Sequence, residues 1–140
     1  MGLSSAERQK QYRARNPERS RSSWRQYALT EKGTITVLLN YARDRARRQG
    51  LAFDLDREWL AVKVAAGTCG LTGISLERLS PGQHRTHPYA PSLDRIEPAL
   101  GYTKPNVRLV CFAVNRARSD WGDEVILRIA QALVKKHITA

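Results

Sequence analysis

The sequence predicts a mostly helical α+β domain with a basic N-terminal helical arm. Three observations carry that reading. Residues 91–120, PSLDRIEPALGYTKPNVRLVCFAVNRARSD, read as strand, turn, strand and helix. Stretches on both sides of this unit repeat their apolar residues at helical spacing. Residues 1–32 are polar and rich in Arg, Gln and Ser, with Tyr12, Trp24 and Tyr27 spaced through them. A chain of 140 residues is about one domain with a modest core. The expected division is an arm over 1–32 and a domain over 33–140.

The elements follow in order. Asn16-Pro17 splits the arm into two pieces, each able to be helical. A basic arm with interleaved aromatics suits phosphate contacts and stacking, and equally suits docking on the domain. Thr34–Gln49 is an amphipathic helix with Ile35, Leu38, Leu39, Ala42 and Ala46 on one face. Gly33-Thr34 can start it, with Thr34 as its cap, and Gly50 is placed to end it. Arg43, Arg45, Arg47 and Arg48 crowd its last turns, where they complement the helix dipole and can face DNA. Leu51–Leu55 is extended. Asp56 caps a helix over Arg57–Ala66 that Gly67 closes, with Trp59, Leu60 and Val62 expected in the core. Thr68–Gly73 is a turn, and 74–91 a loop containing His84 and His87. Ser92–Ile96 and Val107–Cys111 are the strands, and Phe112–Ser119 a short helix. Asp120 or Asp123 caps a last helix through Lys136. Its stripe of Val125, Ile126, Ile129, Ala130, Leu133 and Val134 is expected to close the core, with a dimer face as the alternative.

Charge narrows the partner. There are 24 Lys and Arg against 13 Asp and Glu, a net of +11. Residues 1–50 hold 12 basic and 4 acidic side chains, so most of the excess sits at one end. Such asymmetry points to a polyanion, and nucleic acid fits it best. No apolar run approaches the roughly 18–20 residues of a membrane span, and the N-terminus has no apolar signal core. The expectation is no membrane partner and an intracellular, cytoplasmic protein. Two cysteines give no disulfide framework, and no repeat of 20–50 residues is present.

Asp94 on the first strand, Asn106 at the start of the second and Asn115 on the helix stand at the joints of the 91–120 unit, the last two nine residues apart. With them, the segment resembles the ββα-metal finger of HNH (His-Me finger) endonucleases, in the form found in small phage proteins. LLNYARDRARRQGLAFDLDREW and GTCGLTG upstream resemble the same proteins, so the likeness spans roughly 33–120. It implies a ββα finger packed against flanking helices, and a phage-derived, metal-dependent DNA endonuclease that hydrolyses phosphodiester bonds.

The resemblance also implies roles. Asp94 and the Asn115 oxygen would hold one divalent ion, Mg²⁺ or alternatively Mn²⁺. Asn106 would tie the loop to the strand. The family's general base, the His after Asp, is Arg95 here. An Arg cannot deprotonate water, but it can clamp the scissile phosphate. That leaves His87, then His84, then Glu97, or the metal alone, to activate water. Arg43, Arg47, Arg48, Arg116 and Arg118 are the expected DNA contacts. Many HNH proteins hold a structural zinc with two Cys-x-x-Cys pairs. Here the pairs read Cys69-x-x-Thr72 and Cys111-x-x-Val114. Two thiolates do not complete a zinc site, so no structural zinc is expected and the cysteines should pack together. Two other classes stay open: an HNH-fold DNA-binding module without cleavage, and a basic RNA-binding or assembly protein.

Overall fold

Thr30 begins the helix on which the domain is packed. The computed structural model describes residues 2–138, so the last two residues of the expected 33–140 domain lie outside the described residues. The helix α3 spans Glu31–Gln49. Thr30 is in extended conformation, and its Oγ1 accepts from the Gly33 N–H at 3.0 Å. The cap is therefore Thr30, one turn before the expected Thr34, and the 32/33 boundary falls inside the first turn. Gly33 is not a start signal. A Cβ there would stand 1.8 Å from the Tyr27 carbonyl oxygen, so the missing side chain lets the preceding helix cross close by. Gly50 ends α3 in the left-handed conformation at φ 64°.

The buried face of α3 is Ile35, Leu38, Leu39, Ala42 and Ala46. It meets Leu55, Leu60, Tyr102, Val107 and Leu109 in the main core. Helix α4, Arg57–Ala66, contributes Leu60. Asp56 caps it by accepting from the Trp59 N–H at 2.8 Å, and Gly67 closes it. Trp59 packs against the core from its edge. Val62, expected inside, is 73% exposed, because two residues on from Leu60 is about half-way round the helix, on the opposite face.

Strands β1, Pro91–Arg95, and β2, Val107–Cys111, pair antiparallel, with Asp94 opposite Arg108 and Leu93 opposite Leu109. Helix α5, Phe112–Arg118, follows β2 directly and packs back across β1. Behind the hairpin lies a second small cluster of Cys69, Val110 and Cys111. The Gly70 N–H donates to the Leu109 carbonyl at 2.7 Å, which brings the Thr68–Gly73 turn against β2. Both cysteines are free thiols packed as small buried groups.

The two ends of the chain depart from this burial. Helices α1, Ser5–Arg15, and α2, Pro17–Leu29, cover the stretch expected as an arm and bury no residue. Pro17 occupies the first turn of α2, where its missing N–H costs nothing. Helix α6, Asp123–Ile138, also buries none. Its stripe does not close the core: Val125, Ile129, Leu133 and Val134 are 37–55% exposed, and only Ile126 is half-buried. The core is already filled by α3, α4 and the hairpin. No helix among the described residues is long and apolar enough to cross a membrane.

Candidate functional site

Four charged side chains knot the hairpin to the helices. Directly across the strands, Arg108 Nε donates to Asp94 Oδ2 at 2.9 Å. The rest of the Arg108 fork clasps Asp123 at 2.9 and 2.5 Å. Arg118 donates from Nε to Asp123 at 2.5 Å and from Nη1 to Asp94 Oδ1 at 3.0 Å. It also donates to the carbonyls of Arg95 and Ile96 at 2.9 and 2.6 Å. Two arginines and two aspartates thus neutralise one another, each held in a fixed geometry. Arg108, and then Arg118, hold the Asp123 carboxyl down at about 2. Asp123 is the first residue of α6 and acts as its anchor, not as a side-chain cap.

This knot corrects one expected DNA contact. Arg118 is only 2% exposed and spends its donors on Asp94, Asp123 and two strand carbonyls, so no phosphate can reach it.

Asn106 performs a second fastening. Its Oδ1 accepts from the Glu97 N–H at 2.9 Å, and its Nδ2 donates to the carbonyls of Glu97 and Gly101 at 2.9 and 2.8 Å. All of this lies within the loop between the strands. Gly101, at φ 79°, passes so close to residue 52 that a Cβ would sit 2.6 Å from its carbonyl oxygen. Asn115, three residues before Arg118 on the same face of α5, donates from Nδ2 to Ser92 Oγ at 2.7 Å and the Leu93 carbonyl at 3.0 Å. Its amide nitrogen is committed to β1, so its oxygen is the atom left for a ligand.

A cavity of about 390 Å³ opens where α3, β1 and α5 meet. Asp94, Arg95, Asn115 and Arg116 line it, together with Tyr41 and Arg45 from α3, Arg85 from the 74–91 loop, and Asp120. Arg95 donates to the Pro98 carbonyl at 2.6 Å, and its guanidinium lies over the Tyr102 ring at 5.0 Å, which fixes the direction of its charge. Arg45 Nε is buried with no hydrogen-bond partner. Burial also lowers the Arg85 pKa. Four guanidinium groups, one with a buried donor that has no partner among the described residues, give the cavity a cationic lining of the kind that suits an anion. Ser119, the one non-glycine with positive φ among the described residues, turns the chain at φ 49° and delivers Asp120 to the rim. Asp94 and Asp120 are the carboxylates lining the cavity.

The expected bases lie elsewhere. His87 Nε2 is 3.6 Å from Glu77 Oε2 and lines no part of the cavity. His84 is exposed on the same loop, and Glu97 is exposed with its backbone held by Asn106. Arg43 lies over Phe53 at 5.1 Å, Arg47 reaches Asp44 at 3.8 Å, and Arg48 is exposed, all outside the cavity. Sequence reasoning did not assign Tyr41, Arg85 or Asp120 to the site. Tyr41 and Arg45 are four residues apart on α3, a spacing that places them together; Arg85 carried no such signal.

No family model matches the sequence, and no curated protein matches it. A solved structure does: that of PacI, described as a rare-cutting HNH restriction endonuclease, with a TM-score of 0.52 and 24% identity over 74% of this chain and 78% of that one. The fold is HNH-like. At that identity the likeness speaks for the architecture alone; in this chain β1, β2 and α5 run as hairpin and then helix over 91–118.

Proposed function

We propose that this chain is a metal-dependent DNA endonuclease of the small phage HNH type and that the cavity between α3, β1 and α5 is where the phosphodiester is hydrolysed. The observation that carries this is the convergence of four arginines with Asp94 and Asn115 on one cavity in an HNH-like fold. Arg45, Arg95 and Arg116 bind the non-bridging phosphate oxygens and offset charge that grows in the transition state. Asn106 and the four-charge knot hold the loop and β1 still while this happens.

The donors fit a hard divalent ion. Each Asp94 oxygen accepts one N–H and keeps a lone pair, and the Asn115 oxygen is available. Mg²⁺, with Mn²⁺ as substitute, suits two such oxygens with water and phosphate completing its shell. Asp94 and Asn115 would hold the ion, which would supply Lewis acidity to the hydrolysis. Asp120 is the second carboxylate of the cavity and its side chain makes no hydrogen bond among the described residues, so it is the group we assign to take the proton of the attacking water. His87, held toward Glu77, is not given that role.

A DNA-binding module without cleavage is the second reading, favoured by the two guanidinium groups that already occupy Asp94. Plasmid nicking with Mg²⁺ or Mn²⁺ against EDTA separates the two. Wild type is expected to nick only with metal, and both Asp94→Ala and Asn115→Ala to lose activity at least about a hundredfold. Asn115 stands outside the charged knot, so its variant keeps the fold that Asp94→Ala puts at risk. DNA binding without nicking in either metal would leave the binding module as the answer.

A further inference from the structure

The arm presents a groove of its own. Where α1 and α2 bend at Asn16-Pro17 they enclose about 600 Å³, lined by Tyr12, Trp24 and Tyr27 together with Arg13, Arg19 and Arg21. Tyr12 comes from α1, and Trp24 and Tyr27, about one turn apart, come from α2, yet all three share one concavity. They remain 49%, 49% and 38% exposed. Trp24 and Tyr27 stand 5.6 Å apart and tilted by 40°, so neither ring covers the other. Apolar ring faces left open in this way are available to a planar ligand.

Charge says what kind of ligand. Residues 1–32 hold eight basic side chains against three acidic ones. Among the described residues, Arg13 and Arg19 make no side-chain hydrogen bond or ion pair, and Arg21 makes an exposed contact with Glu18 at 3.2 Å. Uncommitted guanidinium groups bordering open aromatic faces match a chain that alternates phosphates with flat bases. In a duplex those base faces are stacked on their neighbours and out of reach; in a single strand they are free. The groove is also held to the domain and does not float beside it. The Tyr27 hydroxyl bonds Thr36 Oγ1 at 3.0 Å, and Gly33 lets the end of α2 lie against α3. Arg45 follows Gly33 by twelve residues on α3, about 18 Å along the axis.

We propose that the α1–α2 groove is a binding site for single-stranded nucleic acid, in which Trp24 and Tyr12 stack on unpaired bases and Arg13 and Arg19 hold the intervening phosphates. It is separate from the cleavage cavity, and it does not rest on the nuclease reading.

The test uses the full chain with Trp59→Phe and Trp121→Phe, so that Trp24 is the one fluorescent tryptophan, in EDTA so that nothing is cut. Oligothymidylate is expected to quench Trp24. Trp24→Ala, followed by anisotropy of the labelled strand, is expected to weaken single-strand binding about tenfold and duplex binding less than twofold. Tyr12→Ala should do the same to a smaller degree. Arg19→Ala should weaken both and flatten the salt dependence. Helicity measured by circular dichroism separates lost stacking from a melted arm, and Trp24→Phe, which keeps a ring, should retain most of the affinity. Unchanged fluorescence on adding oligothymidylate would overturn the proposal. So would an equal loss of single-strand and duplex binding in a Trp24→Ala protein that keeps its helicity.

Discussion

Helices α3 and α6 carry apolar stripes of the same kind, and the molecule treats them in opposite ways. On α3 the stripe from Ile35 to Ala46 is buried along its length beneath α4 and the hairpin. On α6 the stripe from Val125 to Val134 buries nothing, and the helix is fastened at its first residue through Asp123. One helix is held by area, the other by charge at its root. Periodicity reports that a helix has an apolar side. It does not report whether the rest of the chain has surface left to cover it.

That difference can be broken at the root first. Arg118→Ala removes four hydrogen bonds and leaves Asp94 and Asp123 facing each other with half their partners gone. A loss of about 3–5 kcal/mol is expected in urea unfolding. A loss below about 1 kcal/mol would mean that charge is not what fixes α6. Next, Leu39→Ala on α3 should cost about 3 kcal/mol, while Leu133→Ala on α6 should stay within about 0.5 kcal/mol. Comparable losses at the two positions would show that α6 is covered in solution.

Acid sharpens the comparison further. The folded Asp123 pKa lies below its ordinary 3.8, so its contribution is present above 3.8 and lost as pH falls toward about 2. The full effect is on the order of 2 kcal/mol. Urea midpoints of wild type should decline through that window, and those of Asp123→Asn, already lower, should decline less. Equal slopes would separate Asp123 from the acid sensitivity of the fold.

The parts that could be read from sequence were those fixed by neighbours in the chain. The buried face of α3, the Asp56 cap and the bounds of β2 follow from spacing and local hydrogen bonds. Gly33 misled because glycine usually marks a helix end, whereas here it answers to the Tyr27 carbonyl, a contact made only once α2 folds back. In the site, Asp94, Arg95, Asn115 and Arg116 belong to the one 91–120 stretch and line one cavity. Arg45 and Arg85 reach it from separate elements, and no local pattern announces that. Arg118 was unreadable for a different reason: an arginine in a basic chain looks like surface, and only the arrangement of two aspartates around it makes burial tolerable.

The four-charge knot also divides the protein's response to salt. Two of the 24 basic and two of the 13 acidic residues cancel inside the domain, so the whole +11 is displayed by the others. Added ions screen exposed charges beyond about 10 Å at 0.1 M, but scarcely reach the Arg118–Asp94 pair, 2–3% exposed and in direct contact. A brine wash should therefore strip whatever polyanion the surface has gathered and leave the ββα unit in shape, so that the purified protein can be handed its nucleic acid afresh.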